Sequence, residues 1–199
     1  MIPAYLCVAF AHGLGGQTPV KPTGGTDKRA AFVPMRERER LQQYAEALVS
    51  PVSVLTSAAG AGIGQWRDKP PEWNQGGQGY ERRFASSYAE HVVQETLLFG
   101  VSSVTHEDNR YFRRGEGIFK TRLRYAIEST FLARHDDGSS HISISKMGAF
   151  AGGALISRAW QPESSGDLKN AGVNFWVSVA VAAGFSVARE FLPDLLHRR

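Results

Sequence analysis

Apolar residues along this chain recur mostly at three- and four-residue intervals, and strict alternation is brief, so the pattern is that of helices. Leu41, Tyr44, Ala45 and Leu48 share one face of a helix that begins near Arg36, led in by "RERER" as a solvated face. Ser50 followed by Pro51 has the form of an N-cap and first helical position, opening a helix to about Gly64 with Val52, Leu55, Ala59 and Ile63 in line. Tyr80, Phe84, Tyr88 and Val92 mark a long helix over 78–104. Phe119, Leu123, Ala126, Ile127, Thr130 and Phe131 form the apolar face of another, whose opposite face carries Lys120, Arg122 and Arg124. Asp136-Asp137-Gly138 is turn chemistry, and "HISIS" after it alternates like an extended segment. Ser145 is placed to cap a helix over 147–160 closed by Pro162, and a last helix runs over 168–192 until Pro193 stops it.

These elements predict an all-α fold: a compact bundle of five or six helices, glycine-rich and close-packed, behind a disordered N-terminal tail. Gly148 and Gly152 stand four residues apart, as do Ala149 and Gly153, so two ridges of one helix lack side chains and a neighbour can approach closely. Residues 170–188 form nineteen positions without charge, which at ~1.5 Å each cross most of a ~30 Å hydrocarbon layer. Against a membrane span, the stretch has no Leu or Ile, and Asn174, Ser178 and Ser186 line up with Glu190 at four-residue spacing. The expectation is a core helix buried on most of its circumference.

The chain has 199 residues, 42% of them hydrophobic, enough for one domain over 36–199 with a real core. Residues 12–35, rich in Gly, Pro, Thr and Lys, read as a disordered linker. Residues 1–11 are uncharged and apolar, and Ala9-Phe10-Ala11 has the small-x-small form of a cleavage site, so they are assigned as a possible export signal. Cys7, the single cysteine, lies in that segment, so its removal would leave no disulfide and no thiol chemistry.

Charge sharpens the picture in one place. Residues 110–124 carry six basic side chains and one acidic one, a larger excess than the whole chain's net +4. Such a cluster suits nucleic acid, an anionic membrane surface or an acidic protein, and the export-like start selects the last two. Arg113, Arg114, Lys120, Arg122 and Arg124 are therefore the expected binding face for anionic headgroups or an envelope protein, with no nucleic-acid partner. Homo-oligomer formation is a further expectation.

The run "THEDNRYFRRGEG" at 105–117 concentrates what chemistry there is. Thr105 three residues before Asp108 resembles a capping box, with Glu107 and Asp108 in a first helical turn. On that reading Arg110, Arg113 and Arg114 pair with nearby carboxylates while Tyr111 and Phe112 fill the gap between helices. Thr105, Asp108, Arg110, Tyr111 and Phe112 are then structural residues. The rival reading is a metal-dependent hydrolase centred on His106 and Asp108, joined by His135, Asp137 or His141. The second histidine of a helical zinc-protease motif, a G-x-S-x-G elbow, a phosphate-binding loop and a complete dinucleotide loop are all missing from the sequence. No metal or cofactor is expected, and an enzymatic role is the less favoured reading.

Four blocks in order, "GQGYERRFASSYAEH", "HEDNRYFRRGEG", "ESTFLARHDDG" with "ISKMGAFAGGALISRAWQP", and "AREFLPD", resemble an uncharacterised family of exported helical proteins of the bacterial cell envelope, over about residues 50–197. That family usually has Pro where Asn109 stands and often Trp where Leu192 stands. The resemblance implies a helical fold and a periplasmic or membrane-associated location, and it transfers no catalytic residue.

Overall fold

The computed structural model describes residues 34–136 and 138–196; the signal and most of the linker expected over 1–33 lie outside them. The described residues form six helices and a small sheet, the all-α bundle expected from the periodicity. In chain order they are α1 (Glu37–Val49), α2 (Pro51–Trp66), a 3-10 turn (Pro71–Trp73), α3 (Gly77–Thr105), β1 (Glu107–Asp108), α4 (Phe119–Glu128), β2 (Leu132–His135), β3 (Ser140–Ile142), α5 (Ile144–Ile156), a second 3-10 turn (Ser157–Ala159) and α6 (Leu168–Leu196).

Local chemistry explains several boundaries. The Glu39 carboxylate accepts the Arg36 amide at 3.1 Å and fixes the first turn of α1. Ser50 caps α2 by accepting the Ser53 amide at 3.1 Å, and Pro51 supplies its pre-set first position, as the sequence predicts. The 29-residue helix α3 is the spine on which α5 and α2 pack most extensively and α1 less so. Close approach of α5 relies on glycine: a Cβ on Gly153 would run into Gln94 Cγ of α3, and one on Gly152 into Leu97. Gly148 does not share that role, since a Cβ there meets nothing within 4 Å.

Four expectations are corrected. Thr105 does not open a helix: it is the last residue of α3, its hydroxyl donating back to the Val101 carbonyl at 2.9 Å. His106 then turns the chain in a left-handed conformation (φ 54°), and Glu107 and Asp108 enter a strand, with β1 pairing antiparallel to β2 and β2 to β3. The cap of α5 is Ser143, which accepts the Lys146 amide at 3.1 Å, and Ser145 lies inside the helix. Pro193 does not end α6, which continues to Leu196. The carbonyl of Glu190 accepts Arg113 Nε at 3.0 Å and Arg122 Nη2 at 2.7 Å, so side chains supply donors in the turn that the proline interrupts.

The fourth concerns burial. Inside α6 lie Ala171, Val179, Ser186 and Glu190, while Trp176 (63% exposed), Val177 (54%), Val173 (52%) and Val181 (47%) face outward. The helix buries Ser186 and Glu190 of its polar line, half-buries Asn174 and Ser178, and exposes its apolar stripe, the reverse of the expected core helix. Helix α2 does the same on a smaller scale, with Ser53, Ser57 and Ala61 buried and Val54, Leu55, Ile63 and Trp66 exposed.

Candidate functional site

The loop between β1 and α4 and the loop between β3 and α5 each deliver a cluster of donors to one buried carboxylate. Glu107, fully buried in β1, reaches the N-terminus of α5 and accepts the Ile144 amide (2.9 Å), the Ser145 amide (3.0 Å), Ser143 Oγ (2.7 Å) and Ser145 Oγ (2.5 Å). A carboxylate at this end of a helix satisfies orphan amides and offsets the helix dipole. Burial alone pushes the Glu107 carboxyl up; the bonds from Ser145, Ser143 and the Ile144 amide outweigh it and hold the acid below its ordinary value of 4.5. With four donors on two oxygens it is a poor proton acceptor, so this glutamate organises structure. Its own carbonyl accepts Arg40 Nη1 from α1, and Arg40 is itself buried.

Glu190 of α6 is the second such hub. It is fully buried and accepts Tyr111 Oη (2.7 Å), the Arg114 amide (3.0 Å), the Gly115 amide (3.0 Å) and Arg122 Nε (2.7 Å). Gly115 presents its amide from a positive φ of 71°, a conformation that a side chain would strain. Arg122 also pairs with Asp194 at 2.6 Å and lies over the Phe191 ring at 4.6 Å, while Arg113 pairs with Asp194 too. Burial and the bond to Glu190 push the Tyr111 phenol up, so it remains a donor.

The residues marked in the sequence are thereby placed. Asp108 is buried and held by Arg110 Nε (3.0 Å to each oxygen) and Nη2 (2.5 Å), and Tyr111 packs beside Tyr125 at 6.3 Å between ring centres. Phe112 lies under the Arg110 and Arg134 guanidinium groups, and its carbonyl accepts Tyr125 Oη. Of the expected binding face, Arg122 is buried and Arg113 is tied to α6, so neither is a free surface cation. Arg114, Lys120 and Arg124 are exposed, and Arg124 pairs with Glu128 at 2.6 Å. His106 is exposed and 3.5 Å from Asp136, whereas Asp108 points into its ion pair with Arg110, so the two do not share a reaction centre. His135 and His141 stack edge-on at 5.3 Å. Among the described residues no group of three or more His, Cys, Asp or Glu is placed to hold a metal; Asp137 lies outside them.

The feature that sequence reasoning missed is a cavity of about 850 Å³ walled by α1, α2, α3 and α6. Its α3 wall carries Glu90, His91, Gln94 and Glu95, and its α6 wall carries Asn174, Ser178, Ser186 and Arg189 together with Val173, Val177, Val181 and Phe185. Gln94 Nε2 crosses to Ser178 Oγ at 3.0 Å, and His91 Nε2 lies 3.1 Å from the Ala47 carbonyl. The signal was present in the polar line Asn174, Ser178, Ser186 and Glu190, but nothing in one sequence pairs that line with a polar face of α3. Lys146 lies at the edge of the cavity with Nζ donating to the Ser129 (2.9 Å) and Leu132 (2.6 Å) carbonyls. Burial and the nearby Arg189 bring its ammonium down to about 8, against the pull of Glu107 and Asp108.

No family model, curated protein or solved structure matches this chain.

Proposed function

We propose that the protein is a membrane-embedded helical component of the cell envelope, with a structural or binding role. The observation that carries this reading is the inverted burial of α6, a helix long and apolar enough to cross a membrane. Its exposed stripe, Gly172, Val173, Trp176, Val177, Ala180, Val181 and Gly184, contains no polar side chain, with Val173, Val177 and Val181 at the margin of the cavity, and the uncharged stretch is flanked by Lys169 and Arg189. Water penalises such a stripe and hydrocarbon does not, while Ser178 and Glu190 find partners within the bundle. The Glu190 junction then sits at the end of the apolar stretch, where exposed Arg114 and Lys120 reach anionic headgroups as an auxiliary contact. The apolar start of the chain with the small-x-small Ala9-Phe10-Ala11 supports export to the envelope.

The test is fractionation of cells expressing the full chain, followed by washing the membranes with high salt and with alkaline carbonate. Retention through both washes is expected, together with quenching of a Trp176 fluorescence component by lipids brominated in mid-chain that is absent from Trp176→Phe. Release by salt would replace embedding with peripheral attachment through the basic residues, and recovery in the soluble fraction would refute membrane association.

A further inference from the structure

The cavity between α3 and α6 holds opposite charges that the fold leaves unbridged. The Arg189 side chain makes no hydrogen bond among the described residues, and its Nε is sealed from solvent without a partner. Glu95, on the facing wall, likewise accepts none among them. The two are close enough to interact electrostatically, yet no ion pair joins them. Lys146 stands near Arg189 and keeps one N–H beyond the two it gives to the Ser129 and Leu132 carbonyls. Glu90 lines the same cavity from a different side of α3, five positions before Glu95. Arg189 and Lys146 thus stand as neighbouring cations across from the Glu95 acid, with His91 the other titratable group beside Glu95.

Half-buried charges without contact partners are incompletely solvated, and each is best relieved by a group of opposite sign with hydrogen-bonding capacity. A simple anion would satisfy Arg189 and leave Glu95 bare, and a simple cation would do the reverse. A molecule carrying both signs answers both, and about 850 Å³ falls within the ~300–1,000 Å³ range of small-molecule sites. Two neighbouring cations suit a group with several anionic oxygens, to which a guanidinium gives paired hydrogen bonds and an ammonium a point charge.

We propose that this cavity binds an ammonium–phosphate zwitterion of the phosphoethanolamine class, its phosphate held by Arg189 and Lys146 and its ammonium by Glu95. That chemistry occurs both in the free compound and in the headgroup of an ethanolamine lipid, and the site recognises what they share.

The experiment is calorimetric titration of the full chain, purified in a mild detergent, with phosphoethanolamine, ethanolamine, inorganic phosphate and a short-chain phosphatidylethanolamine. At least one of the two zwitterions binds about tenfold or more tightly than phosphate or ethanolamine alone, and raises the unfolding temperature. Glu95→Gln and Arg189→Gln each weaken that binding by about tenfold or more, since each removes one charged contact. If Arg189→Gln fails to fold, Glu95→Gln carries the test, because it removes a charge without removing volume. Tighter binding of the lipid than of the free compound, with the same dependence on Glu95, assigns the headgroup as the source; the reverse order assigns the soluble molecule. Absence of binding by both zwitterions, binding of phosphate alone as tight as theirs, or full binding by Glu95→Gln would overturn the proposal.

Discussion

Glu107→Gln is the sharpest perturbation the junction offers, because it changes two atoms and leaves the shape. The native carboxylate accepts two backbone amides of α5, from Ile144 at 2.9 Å and Ser145 at 3.0 Å, and two serine hydroxyls. Glutamine keeps one acceptor oxygen, and placed at the Oε2 position it retains the Ser145 amide and both serine hydroxyls. The Ile144 amide, which bonds Oε1, then meets an NH2 donor and cannot turn away. A buried amide left without an acceptor costs about 1–3 kcal/mol, and loss of charge weakens the bonds that remain, giving about 2–4 kcal/mol in all. That is a large part of the ~5–15 kcal/mol by which a domain is stable. Equilibrium unfolding in urea, in one detergent, measures it, and hydrogen exchange should show the Ile144 and Ser145 amides losing protection. A pH series adds an independent check. The Glu107 carboxyl is held below 4.5 in the fold, so its contribution is fully present above that value and is lost as the pH falls through the folded value. Glu107→Gln should therefore flatten the acid limb of the wild-type stability curve. A variant within about 0.5 kcal/mol of wild type with the same acid limb would refute the assignment of Glu107 as the cap of α5.

The remaining predictions are separable from that one. Gly153→Ala should cost about 1–3 kcal/mol in the same unfolding assay, because its Cβ meets Gln94 Cγ, while Gly148→Ala, with open space around it, should be neutral or stabilising by up to about 1 kcal/mol. The folded Lys146 ammonium titrates near 8, below the usual 10.5, so the native state sheds its proton first and stability rises with pH between those values. Lys146→Met should remove that rise, read from unfolding temperatures across the same range. His106→Asn, exposed and in a left-handed conformation that Asn tolerates, should stay within about 0.5 kcal/mol of wild type in urea unfolding.

Helices were the legible part of this sequence, and their junctions were not, for identifiable reasons. Ser50-Pro51 is read correctly because its cap and its proline act within three residues. Thr105 and Asp108 have the spacing of a capping box, but a threonine hydroxyl also bonds back to the carbonyl four residues earlier, and at the end of α3 it does so. The two serines at 143 and 145 are equal candidates for a cap until β3, paired to β2 through Ile142, fixes where the strand ends and the helix begins. Pro193 is a stop signal only if nothing supplies donors to the carbonyls around it, and two arginines eighty and seventy-one positions earlier do so at Glu190. The roles of Glu107 and Glu190 share that origin. Their donors come from segments about 36–79 residues away, and no local pattern encodes them.

Period, finally, identifies a helix face but carries no sign. Asn174, Ser178, Ser186 and Glu190 mark one line of α6 equally well whether that line meets water or the bundle. The usual assumption sends the apolar side inward, and it fails here because the interior offers hydrogen bonds: Gln94 for Ser178, and Arg122, Tyr111 and two amides for Glu190. Once those partners are in place, turning α6 over would strand Arg122 and the Arg114 and Gly115 amides without an acceptor, a larger penalty than exposing valines. The sign is thus set by the charged residues of α4 and its preceding loop, and it leaves Val173, Trp176, Val177 and Val181 exposed. The proposed membrane embedding and the inversion of α6 therefore stand on the same set of hydrogen bonds.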